Sequence, residues 1–127
     1  MERLKVVLVE DNEDAAETLC ILMKRWGCDV AIAGDGERAV ELILSNRPDL
    51  ALVDIGLPLR NGYEVATAVK AHPDGAALHL VALTGYGQPE DWRRAQEAGF
   101  AAQLVKPVEP EALRRFIEAR RAEVEGA

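Results

Sequence analysis

Four short apolar runs in this chain lead into residues that bind metals or phosphates. Glu10-Asp11 follows Val6-Val7-Leu8-Val9, Asp54 follows Leu50 to Val53, Thr84 follows His79 to Leu83, and Lys106 follows Ala102 to Val105. Gathered in one place, Glu10, Asp11 and Asp54 set like charges within a few ångströms. That is costly unless a cation neutralises them or one carboxyl keeps its proton. Mg²⁺ suits such a cluster best, with Mn²⁺ as the alternative ion. It takes oxygen ligands from one or two carboxylates, keeps several waters and accepts a further oxygen from a phosphoryl group. The hydroxyl of Thr84 and the ammonium of Lys106 are suited to donate to the other phosphoryl oxygens. A carboxylate nucleophile, a metal, and hydroxyl and cationic groups facing equatorial charge are the parts of a phosphoryl-transfer site.

For these residues to meet, the elements that carry them must end on one rim. Strand-length apolar runs alternate with stretches of helical period, the sequence sign of βαβ units and a parallel sheet. The first run is continuous rather than alternating, as expected for a strand covered on both faces. A helix is predicted from about Asp14 to Trp26, with Ala15, Leu19, Leu22 and Trp26 on one stripe, Cys20 beside it and Gly27 as the stop. A short strand from Asp29 to Ala33, the Asp35-Gly36 turn and a helix with Ala39, Val40, Ile43 and Leu44 inward come next. Further helices are predicted at Gly62 to Ala71, Pro89 to Ala98 and Glu109 to Glu123. Right-handed crossovers then give an open twisted α/β sheet with helices on both faces, a doubly wound arrangement. Ligands in such sheets bind outside the C-terminal ends of the strands.

The 127 residues fit one domain, 1–127, long enough to bury a core without staples. With 49% hydrophobic and 29% charged residues, the composition is that of an ordinary globular protein. No apolar run nears the roughly 20 residues needed to cross a bilayer, and no signal-peptide pattern opens the chain. A cytoplasmic location without membrane insertion is the expectation. A formal net charge of −7 speaks against direct nucleic acid binding. Cys20 and Cys28 lack a Cys-x-x-Cys spacing and read as reduced packing thiols.

Each site residue alone has a plainer account. Asp11 to Asp14 suits the start of a helix, Asp54 or Thr84-Gly85 suits a turn, and Lys106 suits a solvated surface. Their coincidence at four strand ends carries the reading. Trp92, the one large hydrophobe of its helix, either packs on its neighbours or stands exposed for a partner. Arg114, Arg115, Arg120 and Arg121 alternate with glutamates and read as a solvated face.

In order and spacing, VLVEDNED, the Asp35-Gly36 pair, ALVDIGLP, Asn61-Gly62, ALTGY and LVKP resemble the receiver domains of two-component response regulators across the whole chain. The resemblance implies a flavodoxin-like (βα)5 fold with five parallel strands in the order 2-1-3-4-5. It implies that a phosphohistidine on a histidine kinase or phosphotransfer protein donates to Asp54. Mg²⁺ is then held by Glu10 or Asp11, Asp54 and the backbone carbonyl of Gly56, with Thr84 and Lys106 on the phosphoryl oxygens. A cis Lys106-Pro107 peptide, aiming Lys106 at the site, is also implied. Gly56 and Tyr86 would flank the path of hydrolytic water and tune the lifetime of the phosphorylated state. Gln103 departs from the family, which usually places an aromatic switch residue there, and this puts signalling through that element in doubt rather than phosphorylation. TGYG and the missing aromatic look more like receivers attached to hybrid histidine kinases, whether this chain acts alone or within a larger protein. The resemblance implies no enzyme beyond its own phosphoryl transfer and hydrolysis, and a downstream protein target.

Other readings fail on particular residues. An FMN site needs a first loop that welcomes phosphate, and EDNED repels one. Gly85-x-Gly87 has Glu90 where a dinucleotide fingerprint needs its third glycine. Ala16 replaces the glycine of a calcium loop, no Gly-x-Ser-x-Gly is present, and His72 and His79 lack zinc spacing. The alternative from another class is a receiver-shaped interaction module that binds its partner without phosphorylation. Gln103 favours it and the costly acidic cluster opposes it.

Overall fold

Strands and helices alternate along the chain in the computed structural model, which describes residues 3–85 and 89–126. The order is β1 (Leu4–Val9), α1 (Glu13–Arg25), β2 (Cys28–Ala33), α2 (Gly36–Asn46), β3 (Leu50–Asp54), α3 (Gly62–Ala71), β4 (Leu80–Thr84), α4 (Pro89–Ala98), β5 (Ala102–Val105) and α5 (Pro110–Gly126). All pairings are parallel and the sheet runs β2-β1-β3-β4-β5, the expected flavodoxin-like order.

Side chains alternate across each strand and split the interior into two cores. Val7, Val9, Ala51, Val53, Leu80 and Ala82 pack against Ala39 and Ile43 of α2, Val65, Ala66 and Val69 of α3, and Ala95 of α4. On the opposite face Val6, Leu8, Leu50, Leu52, Val81 and Leu83 meet Leu19 and Met23 of α1 and Leu113 and Ile117 of α5. Burial on both faces explains why the central strands are continuous apolar runs. Both cysteines are free and buried within this packing.

The ends of the elements differ from the expected ones for local reasons. Asn12, not Asp14, sets the start of α1: its side chain accepts from the Ala15 N–H at 3.0 Å. Asp54 and Thr84 lie within their strands as last residues, because Asp54 still pairs with Leu83 and Thr84 with Val105. Lys106-Pro107 is cis. Trp92 is half-buried against the core under α4, so the packing account holds.

The arginines of α5 are not one solvated face. Arg114 and Glu118 form the expected surface pair at 3.2 Å. Arg120 instead donates to the Asp49 carbonyl at 2.6 Å, and Arg121 donates to the Trp26 carbonyl at 2.7 Å. Both therefore tie α5 to loops at the N-terminal ends of the strands, opposite the rim that carries the strand-end residues.

The loop after Asp54 is shaped by two glycines. A Cβ on Gly62 would stand 2.6 Å from the Asp54 carbonyl oxygen and 2.7 Å from the Ile55 Cα. One on Gly36 would meet the Arg60 carbonyl oxygen at 2.1 Å. Asn61 closes the loop with a capping box, accepting from the Glu64 N–H while the Glu64 side chain accepts from the Asn61 N–H. Gly62→Ala is expected to lower the unfolding free energy by about 1–3 kcal/mol, since neither neighbour is a flexible side-chain end. Urea denaturation should show an earlier midpoint with an unchanged slope.

Candidate active site

Register alone makes neighbours of the strand-end residues. Val9 pairs with Val53, so Glu10 and Asp54 stand side by side at the C-terminal rim. Thr84 pairs with Val105, which delivers Lys106 to the same place, and the Lys106 N–H donates to the Thr84 carbonyl at 2.7 Å. Three polar side chains are thereby buried: Glu10, Asp54 and Thr84.

Lys106 bridges the two buried carboxylates. Its Nζ donates to Glu10 Oε1 at 2.9 Å and to Asp54 Oδ2 at 2.8 Å. The Gly56 N–H donates to the other Asp54 oxygen, Oδ1, at 3.1 Å. Asp11 stays exposed beside them. Glu10, Asp11 and Asp54 each offer one carboxylate oxygen, and these lie within 4.8 Å of one another. An all-oxygen set of this kind fits a hard divalent cation rather than a soft one.

Both means of relieving a crowded acidic cluster are present. Burial pushes the Glu10 carboxyl up to about 7, and its hydrogen bond with Asp54 adds to the push against the pull of Lys106. Burial also acts upward on Asp54, but hydrogen bonds from Glu10, Lys106 and the Gly56 N–H outweigh it and hold Asp54 below its ordinary value. Burial alone would depress Lys106, yet its bonds and charge attraction to Asp54 and Glu10 raise it instead. The result is an ionised Asp54 beside a Glu10 that holds its proton to near neutrality and a Lys106 that stays charged.

The Thr84 hydroxyl has no hydrogen-bond partner among the described residues although it is buried. A buried hydroxyl left unpaired beside an ionised carboxylate is available to an incoming acceptor. Gly56 is exposed, and a Cβ built on it would lie 3.9 Å from Asp54 Oδ1, so glycine leaves the approach to that oxygen open. Tyr86 lies outside the described residues. An open cleft of about 400 Å³ adjoins Glu10 and Lys106, walled by α1 and the segment Pro107-Val108.

The strand-end residues thus converge as the sequence suggests. Two features had no sequence signal: the Gly56 N–H as a donor to Asp54, and the buried, unpaired side-chain carbonyl of Gln103. Each depends on backbone orientation or strand register rather than on residue type.

The fold and this rim define a receiver of the two-component type, and comparison with known proteins agrees. The family of the response regulator receiver domain matches residues 6–118. The DNA-binding response regulator MtrA of Mycobacterium tuberculosis is 32% identical over 118 residues, 93% of this chain. The chain spans 50% of that relative's length. The chemotaxis response regulator CheY4 of Vibrio cholerae superimposes with a TM-score of 0.87 at 25% identity, covering 93% of this chain and 98% of that one. The receiver domain of the sensor histidine kinase PA1611 from Pseudomonas aeruginosa gives 0.85 at 27%, covering 92% and 96%, and holds a magnesium ion in its active-site cleft. This chain belongs to the response regulator receiver family.

A cation bound at these carboxylates competes with the Glu10 proton. Because that proton is held up to about 7, binding at lower pH must displace it. The apparent Mg²⁺ affinity is therefore expected to rise as pH approaches 7 and to level off above it. Calorimetry in buffers of different ionisation enthalpy should show proton release on the acid side only.

Proposed function

We propose that the protein accepts a phosphoryl group on Asp54 from a phosphohistidine donor and changes its protein contacts in response. The observation that carries this reading is a buried carboxylate held ionised by its hydrogen bonds with Glu10, Lys106 and the Gly56 N–H, next to an unpaired Thr84 hydroxyl. An ionised carboxylate is the competent nucleophile. One Asp54 oxygen forms a bond to phosphorus as the bond from phosphorus to the donor's imidazole nitrogen breaks, and the imidazole leaves with that electron pair. Lys106 Nζ, already on Asp54, and the Thr84 hydroxyl are placed to donate to phosphoryl oxygens as charge builds on them. Glu10, Asp11, Asp54 and the Gly56 carbonyl would hold Mg²⁺, which supplies charge neutralisation at the transferred group.

On this reading the partners are a histidine kinase or phosphotransfer protein upstream and a protein target downstream. The protein is not a turnover enzyme, because it acts once on its own side chain and again when water removes the group. A cytoplasmic location fits that traffic, and no helix among the described residues is long and apolar enough to cross a membrane.

Incubation with a small-molecule phosphodonor, followed by intact mass, tests the proposal. A gain of one phosphoryl group is expected with Mg²⁺, lost in its absence and in Asp54→Asn. A folded, metal-binding wild type that gains nothing would favour the phosphorylation-independent interaction module.

A further inference from the structure

The β2 edge of the sheet, beside α1, leaves apolar side chains in water. β2 is the last strand of the sheet on this side. Leu8 and Ile32 are register partners on the face that α1 and α5 cover, yet Leu8 is 0% exposed and Ile32 42%. α1 turns Leu19 and Met23 inward over the sheet, which leaves Ile21 on its flank at 47% exposure. Both isoleucines line one groove of about 690 Å³ between α1 and the β2 edge, and Ala16 and Cys20 complete its apolar floor. Single exposed hydrophobes are ordinary, whereas two in one concavity rimmed by polar groups mark an interaction surface.

The rim of this groove is acidic. Asp11, Glu13, Glu17 and Asp35 surround the end nearest the strand-end residues, and Lys24 stands at the other end. Among the described residues none of these four carboxylates forms an ion pair, so their charge is open to a partner. Glu10 also reaches that end but is bonded to Lys106. From Glu13 to Lys24 the helix rises about 16 Å, or about three turns. An apolar strip of that length between two walls complements one face of an amphipathic helix. Acidic walls select a basic one, because opposite charge steers the encounter and like charge repels. A second copy of this chain would bring the same acidic rim and a net charge of −7, and an anionic lipid surface would be repelled in the same way.

We propose that the groove between α1 and β2 docks a basic amphipathic helix of a partner protein. Its apolar side chains sit on Ile21 and Ile32, and its lysines or arginines face Asp11, Glu13, Glu17 and Asp35. The cleft that adjoins Lys106 lies along the opposite flank of α1, at Ala15, Thr18 and Leu19. The groove is therefore a separate surface, and its docking does not depend on the phosphoacceptor reading.

The test titrates the isotope-labelled protein with a synthetic helical peptide of leucine and lysine, its leucines at i, i+3, i+4 and i+7, and follows amide signals by NMR. Mg²⁺ and phosphodonor are left out, so a failure here does not bear on phosphorylation of Asp54. Saturable shifts are expected at Glu13, Ala16, Glu17, Ile21, Ile32 and Gly34, with affinity falling as salt is added. Ile21→Ser and Glu17→Lys, both at exposed positions, should each weaken binding by about fivefold or more. Glu97→Gln on α4 and Glu111→Gln on α5 should leave it unchanged. Shifts scattered over the acidic surface, or equal binding of a peptide with serine in place of leucine, would overturn the apolar docking site. Equal affinity for a peptide with glutamate in place of lysine would overturn the basic character of the partner. Shifts at the same residues that grow with protein concentration before any peptide is added would overturn the choice of partner and give the groove to a second copy of this chain.

Discussion

Crowding of carboxylates at the rim of the sheet is the constraint on which the rest turns. Once β1 and β3 are paired in the register Val9 to Val53, Glu10 and Asp54 cannot avoid each other. Two ionised carboxylates at that separation, both buried, would oppose folding. The protein answers with a cation and a proton: Lys106 reaches both groups from β5, and Glu10 keeps its proton up to about 7. Either answer alone leaves charge uncompensated, and the three carboxylate oxygens within 4.8 Å of one another form a candidate cation site.

Such a balance needs a scaffold that does not yield. The three central strands are buried on both faces, and the loops that leave the rim are capped by Asn12, Asp35 and Asn61 at the starts of the helices they enter. Gly36 and Gly62 let the loops after β2 and β3 close on each other, with the Gly36 N–H donating to the Pro58 carbonyl at 3.2 Å. The backbone around Asp54 is thereby held in place, and among the described residues the buried side-chain atoms left without a partner are those of Thr84 and Gln103. A stiff platform with a few uncommitted polar groups suits two states separated by a small free energy.

How much of this was legible in the sequence follows from where the information lies. The strand-end residues were readable because carboxylate, hydroxyl and ammonium are unusual sequels to apolar runs, and a parallel sheet puts such sequels on one rim. Strand order came only with the family resemblance, since periodicity does not say which strands pair. Arg120 and Arg121 looked like surface charges because their carbonyl partners, Asp49 and Trp26, lie far away in sequence. Trp92 was open to two accounts until the core under α4 was in view. Gln103 read as the loss of an aromatic ring, whereas register shows a polar side chain placed beside Thr84.

Mn²⁺ used as a paramagnetic probe tests the central claim most directly, because it broadens NMR signals only near where it binds. If the crowded carboxylates form a cation site, amide signals of Glu10, Asp11, Asp54, Gly56 and Lys106 should be lost first and Asp54→Asn should protect them. Broadening spread over the acidic surface of this chain of net charge −7, with the rim no more affected than elsewhere, would contradict the account.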